Sequence, residues 1–339
     1  MPAATAPFNT AEMDAILGAY FRQHTTRLML QQFYTPGQFK PNQPDLYSLI
    51  EMEPVWDEKT WGEVNYSMDV QDADNSYNDQ GDVVELNGRI MKVFRMRSDF
   101  KIKWRGLYRK WMNHVTQQGF TNTWGTGQIT AQAMAFADEI LQGLISVHNQ
   151  NLRLRTAMKG VHVNNFVYAQ SYGAAADGFN KLIRDAILAG LIPANQVVAS
   201  GGALSVANTY SHFEAMGKAT TAQMDGRDLF LITATENSDN YNDGYQAAHP
   251  GANERIHDTY DRVRLKARPN VAITPTREAD GEDLSFITPR GCLMMGKNFG
   301  DAPPEILTAV DDPETIKVSL FDSIVFAISR HDYLVVNDQ

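Results

Sequence analysis

Cysteine is nearly absent: Cys292 stands alone in 339 residues. That excludes an intrachain disulfide framework and any metal cluster built on several cysteines, and it fits a chain made in a reducing cytoplasm. No apolar run approaches the ~20 residues needed to cross a bilayer, so no membrane partner is expected. The opening MPAATAPFNT has neither a basic n-region nor an apolar h-region, so no secretory leader is expected. Cations are in deficit, with 30 Lys and Arg against 40 Asp and Glu and a net charge of −10. Chains that grip nucleic acid tightly usually carry the opposite balance.

Catalytic signatures are missing as well. There is no G-x-S-x-G elbow and no P-loop lysine motif, and the eight histidines form no helical zinc pair. Gly125-Thr126-Gly127 lacks the third glycine of a dinucleotide fingerprint and has no strand before it, so it reads as a flexible entry to a helix. Asp72, Asp74, Ser76 and Asn78 imitate a calcium loop, but Tyr77 fills the glycine position and Val83 the glutamate position. Asp239, Asp243 and Gly244 fit somewhat better, but Tyr241 occupies a ligand position and Pro250 the twelfth. Both stretches read as solvated polar loops. His148 falls on an apolar helical stripe and reads as a satisfied core histidine, and Cys292 in an apolar strand reads as packing. No cofactor and no metal site is expected.

What is present is a long two-faced strand. Phe94, Met96, Phe100, Ile102 and Trp104 point one way, and Arg95, Arg97, Lys101, Lys103 and Arg105 the other, with Ser98 and Asp99 as exceptions. Alternation at period two marks a strand with one covered face. Before it, Glu51 to Glu85 is acidic, with Asp72, Asp74, Asp79 and Asp82 among its carboxylates against Lys59 alone. Three readings of the basic strip stay open: a solvated face, a single-strand groove in which cations interleave with aromatics, and a surface that pairs with the acidic stretch of another copy. The third is preferred, because acidic and basic strips are each unfavourable alone. Exposed ion pairs contribute little, so Phe94, Phe100, Ile102, Trp104 and the arm aromatics Trp56, Trp61 and Tyr66 are expected to set affinity while charge sets register.

Along the chain, Asn9 and Glu12 resemble a capping box for a first helix, and the prolines of PGQFKPNQPD end it. Residues 46 to 82 read as extended and polar. Asn87-Gly88 is the strongest hairpin signal. The longest helix is expected over Thr130 to Lys159, with Met134, Ala137, Leu141, Leu144, Ile145, His148 and Leu152 as its stripe and Gly160 as its stop. A strand at 161 to 168 follows. Next comes a helix capped by Asp177, striped by Phe179, Leu182, Ile183, Ala186 and Ile187, and closed by Gly190 and Pro193. A third helix is expected at about Ser205 to Met216. Strands follow at DLFLITAT, the basic-faced DRVRLKAR, VAIT, LSFIT, CLMMG, IKVSL and SIVFAISRHDYLVV, with a polar loop at 236 to 255. The chain is α+β.

This order of parts resembles the major capsid proteins of tailed bacteriophages, the Johnson fold. The resemblance implies an N-terminal arm (1–60), an extended hairpin loop (61–106) with its tip near Asp72 to Asp82 or at Asn87-Gly88, and a spine helix with peripheral domain (107–168). An axial domain (169–310) and a return to the peripheral domain (311–339) complete it. AADGFNKLIRDAILAGLIP, ALSVANTYSHFEAMGKAT and DLFLITAT look axial; FITPRGCLMMGKNFGD and the closing strands look like the return.

It further implies a structural, non-enzymatic virion protein that assembles in the host cytoplasm with itself, as hexamers and pentamers, into an icosahedral shell around double-stranded DNA. The DNA would be touched only by weak non-specific contact, which an acidic wall suits because the polymer can pack and leave. Separate scaffold and portal proteins are implied, since no charged coiled-coil segment is visible, and a decoration protein is compatible. Intersubunit contacts would fall on Arg95, Arg97, Lys101, Lys103, Arg105, Phe94, Phe100, Trp104, Asp72, Asp74, Asp79, Asp82, Trp56 and Trp61. The alternatives are an encapsulin-like compartment shell, another virion structural protein such as a tail component, and a metal-dependent hydrolase using the loop at 239 to 257.

Overall fold

A computed structural model describes residues 11, 14–15, 17–19, 50–55, 60–66, 84–90, 93–103, 106–107, 126–164, 171–250, 263–298, 305–312 and 314–338. Its strands are β1 (Ile50–Val55), β2 (Thr60–Tyr66), β3 (Val84–Ile90), β4 (Phe94–Lys103), β5 (Val197–Val198), β6 (Leu229–Thr233), β7 (Val271–Pro275), β8 (Phe286–Pro289), β9 (Leu293–Asn298), β10 (Glu305–Asp312), β11 (Thr315–Ile328) and β12 (Val335–Asn337). The helices are α1 (Thr126–Asn151), α2 (Phe179–Leu188), α3 (Thr209–Lys218) and α4 (Thr235–Ala248). Residues 11, 14–15 and 17–19 are helical, as the first predicted helix requires.

Two five-stranded sheets carry the fold. The first runs β1-β9-β11-β10, with β4 also paired to β11; the second runs β5-β12-β8-β6-β7. β11 ties the first sheet together. Thr315 to Ile324 pair antiparallel with β4, and Val325 to Ile328 pair with β9. Burial follows this handover: β11 alternates along its first half and is covered on both faces from Asp322 to Phe326. The second sheet is layered. Phe179, Ile183 and Ala186 of α2 share one apolar cluster with Phe230, Ile232 and Phe286, and that cluster continues into Phe94, Met96, Met295 and Ile324 of the first sheet. On the other face, Phe213 and Met216 of α3 and Tyr241 of α4 pack with Leu229, Leu231, Ile273 and Ile287.

Along α1, Leu141, Ile145, His148 and Leu152 are buried at the helical spacing the sequence shows. The helix runs on as a π-helical turn, Leu152–Thr156, and meets α2 end to end. The N–H groups of Gly178, Phe179 and Asn180 donate to the carbonyls of Gly160, Ala157 and Met158 at 2.8, 2.9 and 3.1 Å. Orphan donors at one helix start thus meet the carbonyls that follow the other helix, with the dipoles aligned. The approach demands glycine: a Cβ at Gly160 would lie 2.4 Å from the Ala176 carbonyl oxygen, and one at Gly178 would lie 2.4 Å from that of Thr156. Arg153 pairs with buried Glu278, and Lys159 donates to the Asp280 carbonyl, which fastens this joint to the turn after β7.

Several expectations are corrected. Asp177 does not cap α2; its Oδ1 accepts from the backbone N–H of His162 at 2.8 Å, because the helix start is already satisfied by α1. Residues 161–164 form no strand, although Val161 and Val163 donate to the carbonyls of Gly173 and Ala174; residues 165–168 lie outside the described residues. Asn87-Gly88 makes no turn but sits inside β3, with Gly88 opposite Gly62 of β2. The β2–β3 pair therefore closes across 67–83, the other predicted tip, which lies outside the described residues. The expected polar loop at 236 to 255 is helical up to Ala248. Among the described residues, the expected strand DRVRLKAR is reduced to a bridge between Arg264 and Ala272. Of the segments read as the return, β9 and β11 pair in the first sheet, whereas β8 and β12 pair in the second.

Candidate assembly surface

The alternating strand forms as read, with burial switching residue by residue. Phe94, Met96 and Ile102 are buried, Phe100 is half-buried, and Arg95, Arg97, Asp99, Lys101 and Lys103 are exposed. The covered face is covered by the chain itself. Phe94 packs in the core beside Met96, Leu293 and Ile324, with its ring 4.3 Å from that of His162. Phe94, read as an intersubunit contact, and Ile102, expected to add to affinity, are both buried within the subunit.

The outer face is a charge ladder built by strand register. Arg97 stands opposite Phe321, Asp99 opposite Ser319, and Lys101 opposite Lys317. The Arg97 guanidinium lies 5.2 Å from the Phe321 ring centre and donates to Asp99 at 2.7 Å. Asp99 also accepts from Ser319 Oγ at 2.6 Å. The facing lysines are reconciled by Asp311, whose two oxygens take Lys101 at 2.7 Å and Lys317 at 2.5 Å. Asp311 reaches both because the β10–β11 register slips between Val310 and Asp312, making it the extra residue of a bulge. The Ser319 hydroxyl and then Arg97 hold the Asp99 carboxyl below its usual range, and the two ammonium groups do the same for Asp311. Among the described residues, Arg95 and Lys103 have no anionic partner. The strip thus keeps a cationic surplus after its internal pairs are made.

Behind this face lies a buried polar knot. His148 on α1 bonds the Tyr172 hydroxyl through Nδ1 at 2.8 Å and Asp322 of β11 through Nε2 at 2.9 Å. Asp322 also accepts from the Ser323 N–H at 2.9 Å. His148 is the satisfied core histidine that its apolar stripe predicted.

Asp311, Lys317, Ser319 and Phe321 were missed as members of this surface. The signal available was the continued alternation Ile316, Val318 and Leu320 in IKVSL, which leaves Lys317, Ser319 and Phe321 together on the other face. Trp104, Arg105, Trp56, Asp72, Asp74, Asp79 and Asp82 lie outside the described residues, and of Trp61 the backbone position opposite Arg89 is described. The hydrolase alternative gains nothing from α4. Tyr241, whose phenol burial pushes far up, donates to Glu214 at 2.7 Å, and His249 contacts Lys266 Nζ at 2.8 Å. No group of three or more His, Cys, Asp or Glu suited to a metal ion occurs among the described residues. Cys292 is buried, and burial pushes its thiol up, away from reactivity.

No protein-family model matches the chain, and no curated protein matches it. Solved structures do. A chain of the satellite phage P4 procapsid, a particle that includes the size-determination (Sid) protein, superposes with a TM-score of 0.55 at 13% identity, over 92% of this chain and 98% of that one. The fold is the tailed-phage capsid fold. At that identity the likeness speaks for architecture alone. The capsid of Ralstonia phage GP4 (TM-score 0.48, 10% identity, 85% and 86% covered) and the SrpI encapsulin of Synechococcus elongatus (0.44, 8%, 91% and 93%) are more remote.

Proposed function

We propose that this chain is a major capsid subunit, a structural virion protein that builds the icosahedral shell around double-stranded DNA and performs no catalysis. The observation that carries the reading is the end-to-end superposition on a procapsid chain, with neither partner leaving a large part unmatched. In this reading the first sheet and α1 make the peripheral domain, the second sheet with α2, α3 and α4 makes the axial domain, and β2–β3 is the extended loop. The subunit assembles with itself into hexamers and pentamers in the host cytoplasm, with separate scaffold and portal proteins.

The cationic face of β4 and β11 is the receiving surface for the acidic segment, Glu51 to Glu85, of a neighbouring copy. Supporting this are Arg95 and Lys103, which have no anionic partner among the described residues. Charge complementarity of this kind steers register and encounter more than it adds affinity. Phe94 and Ile102 are spent on the core, so the apolar part of the contact falls to Phe321, half-buried Phe100, Trp104, Trp56 and Trp61. The test is a charge reversal, Arg95→Glu with Lys103→Glu, at two exposed positions. Shell yield, read by negative-stain imaging and mass photometry, falls sharply while the melting temperature of the unassembled chain holds. Undiminished shell yield would refute this assignment of the surface.

A further inference from the structure

His212 stands next to Phe213 on α3 and, like it, is buried, with 5% of its surface exposed. Its Nε2 has no hydrogen-bond partner among the described residues. His148 differs, since both of its ring nitrogens are bonded. A neutral imidazole can leave its acceptor nitrogen unmatched at the cost of one hydrogen bond. An imidazolium there would bury a charge together with an unmatched N–H donor, which costs far more.

The ring lies under the most lightly held strand pair of the second sheet. α3 packs against both β5 and β12. These two pair in parallel over two residues each, Val197 with Val336 and Val198 with Asn337. Just beyond the pair, Asp338 Oδ1 accepts from both the N–H and the hydroxyl of Ser200, at 2.8 and 2.9 Å. The Ser200 hydroxyl in turn accepts from the Gly202 N–H at 3.4 Å. Gly201 and Gly202 take φ of +70° and +136°, so the loop turns sharply around this tether. One exposed carboxylate thus fastens the end of β5 and the loop after it.

Few charged groups surround the ring. β5 and the loop from Ala199 to Ser211 carry none. On α3 itself, Lys218 is exposed, and Glu214 accepts from the Tyr241 hydroxyl and from the N–H groups of Lys266 and Ala267. On α4, Glu236, Asp239 and Asp243 are exposed, and Tyr245 stacks on His249. That leaves Asp338, whose charge acts on His212. Burial holds the His212 imidazole below its ordinary 6.5, against the opposing pull of Asp338 and of the Ala199 backbone. The folded chain therefore resists a proton that the unfolded chain accepts. Stability contributed here is complete above 6.5 and is lost as pH falls through the folded value.

We propose that Ser200 and His212 compete for the Asp338 carboxylate, so that a proton taken up by His212 draws Asp338 away from Ser200 and releases the β5 edge with its following loop. The device belongs to the single subunit and stands whether or not the chain builds shells. Hydrogen exchange of the full chain, corrected for intrinsic rates, is compared at about pH 8 and about pH 5, the span over which histidine changes charge. Protection of the segment 197–204 falls by about tenfold or more at the lower pH, while β6 stays protected. His212→Phe and His212→Gln cannot take the proton, and each keeps the segment protected at both pH values. Asp338→Asn loosens it already at the higher pH, because the Ser200 tether is weakened there. In wild type the His212 ring and the Ser200 amide titrate together by NMR. Unchanged wild-type protection, an equal loss in the His212 variants, or separate midpoints for the ring and the amide would each overturn the proposal.

Discussion

Lys101 and Lys317 stand directly opposite each other across β4 and β11, and the same carboxylate, Asp311, holds both. Two like charges in facing register destabilise a strand pair, so the bulge that aims Asp311 at them keeps the sheet compatible with a cationic face. Replacing Asp311 with Ala lowers the melting temperature of the isolated subunit. Adding Lys317→Thr to that variant restores most of the loss, since the repulsion is removed. Thermal unfolding of the two single variants and the double variant tests the coupling; additive losses would contradict it.

Acid should erase the same effect. The Asp99 and Asp311 carboxyls are held below the ordinary value of 3.8 in the folded chain. A depressed folded pKa contributes stability that is complete above the unfolded value and is lost as pH falls through the folded one. The stability gap between wild type and Asp311→Asn is therefore constant from neutral pH down to the usual carboxylate range and closes below it. High salt shrinks the gap at neutral pH, because this face is open to solvent. Denaturant titrations across pH and salt read both.

In the knot of His148, Asp322 and Tyr172, the histidine and the aspartate are buried and the tyrosine is half-buried, so removing either partner of His148 leaves a buried polar group unmatched. Asp322→Ala should cost about 2–3 kcal/mol, the usual penalty for leaving a buried polar group unmatched. Tyr172→Phe, which removes one hydroxyl from His148, should cost about 1 kcal/mol. Equilibrium unfolding of the two variants checks the ratio, and equal small losses would show that the knot contributes little.

Glycine matters where the two helices join and not at Gly143 on the long one. Gly160→Ala and Gly178→Ala set a methyl against backbone carbonyls and should each cost roughly 1–3 kcal/mol or more. Gly143→Ala, mid-helix and exposed, meets nothing within 4 Å and should stabilise by up to ~1 kcal/mol. Opposite signs at these positions in one chain are the expected result.

How legible this was in the sequence depended on whether structure was local. The alternation from Phe94 and the stripe of Leu141, Ile145, His148 and Leu152 are local periodicities, and both formed as read. α4 was not legible. Its buried positions are Asn237, Ser238, Tyr241 and Gly244, which carry no apolar stripe, so a polar loop was the natural reading. Asn87-Gly88 misled because strand pairing overrode turn chemistry: residues 60–66 supply β3 with a partner that no local rule announces. The candidate surface was half visible. The basic strip was plain, but its neighbours Lys317, Ser319 and Phe321 lie more than two hundred residues onward. The turn of Asp311 toward Lys101 depends on a bulge.

The most direct measurement of the central claim is imaging the purified chain, wild type against a variant in which 67–83 is replaced by a short turn between Tyr66 and Val84. That deletion spares β4, whose Phe94, Met96 and Ile102 the core requires. Mass photometry and negative-stain imaging should show closed shells with pentameric and hexameric units for the wild type. The variant should give a folded subunit that stops at small species. Wild-type chain that remains monomeric or dimeric at every concentration and salt, with or without scaffold protein, would contradict the account.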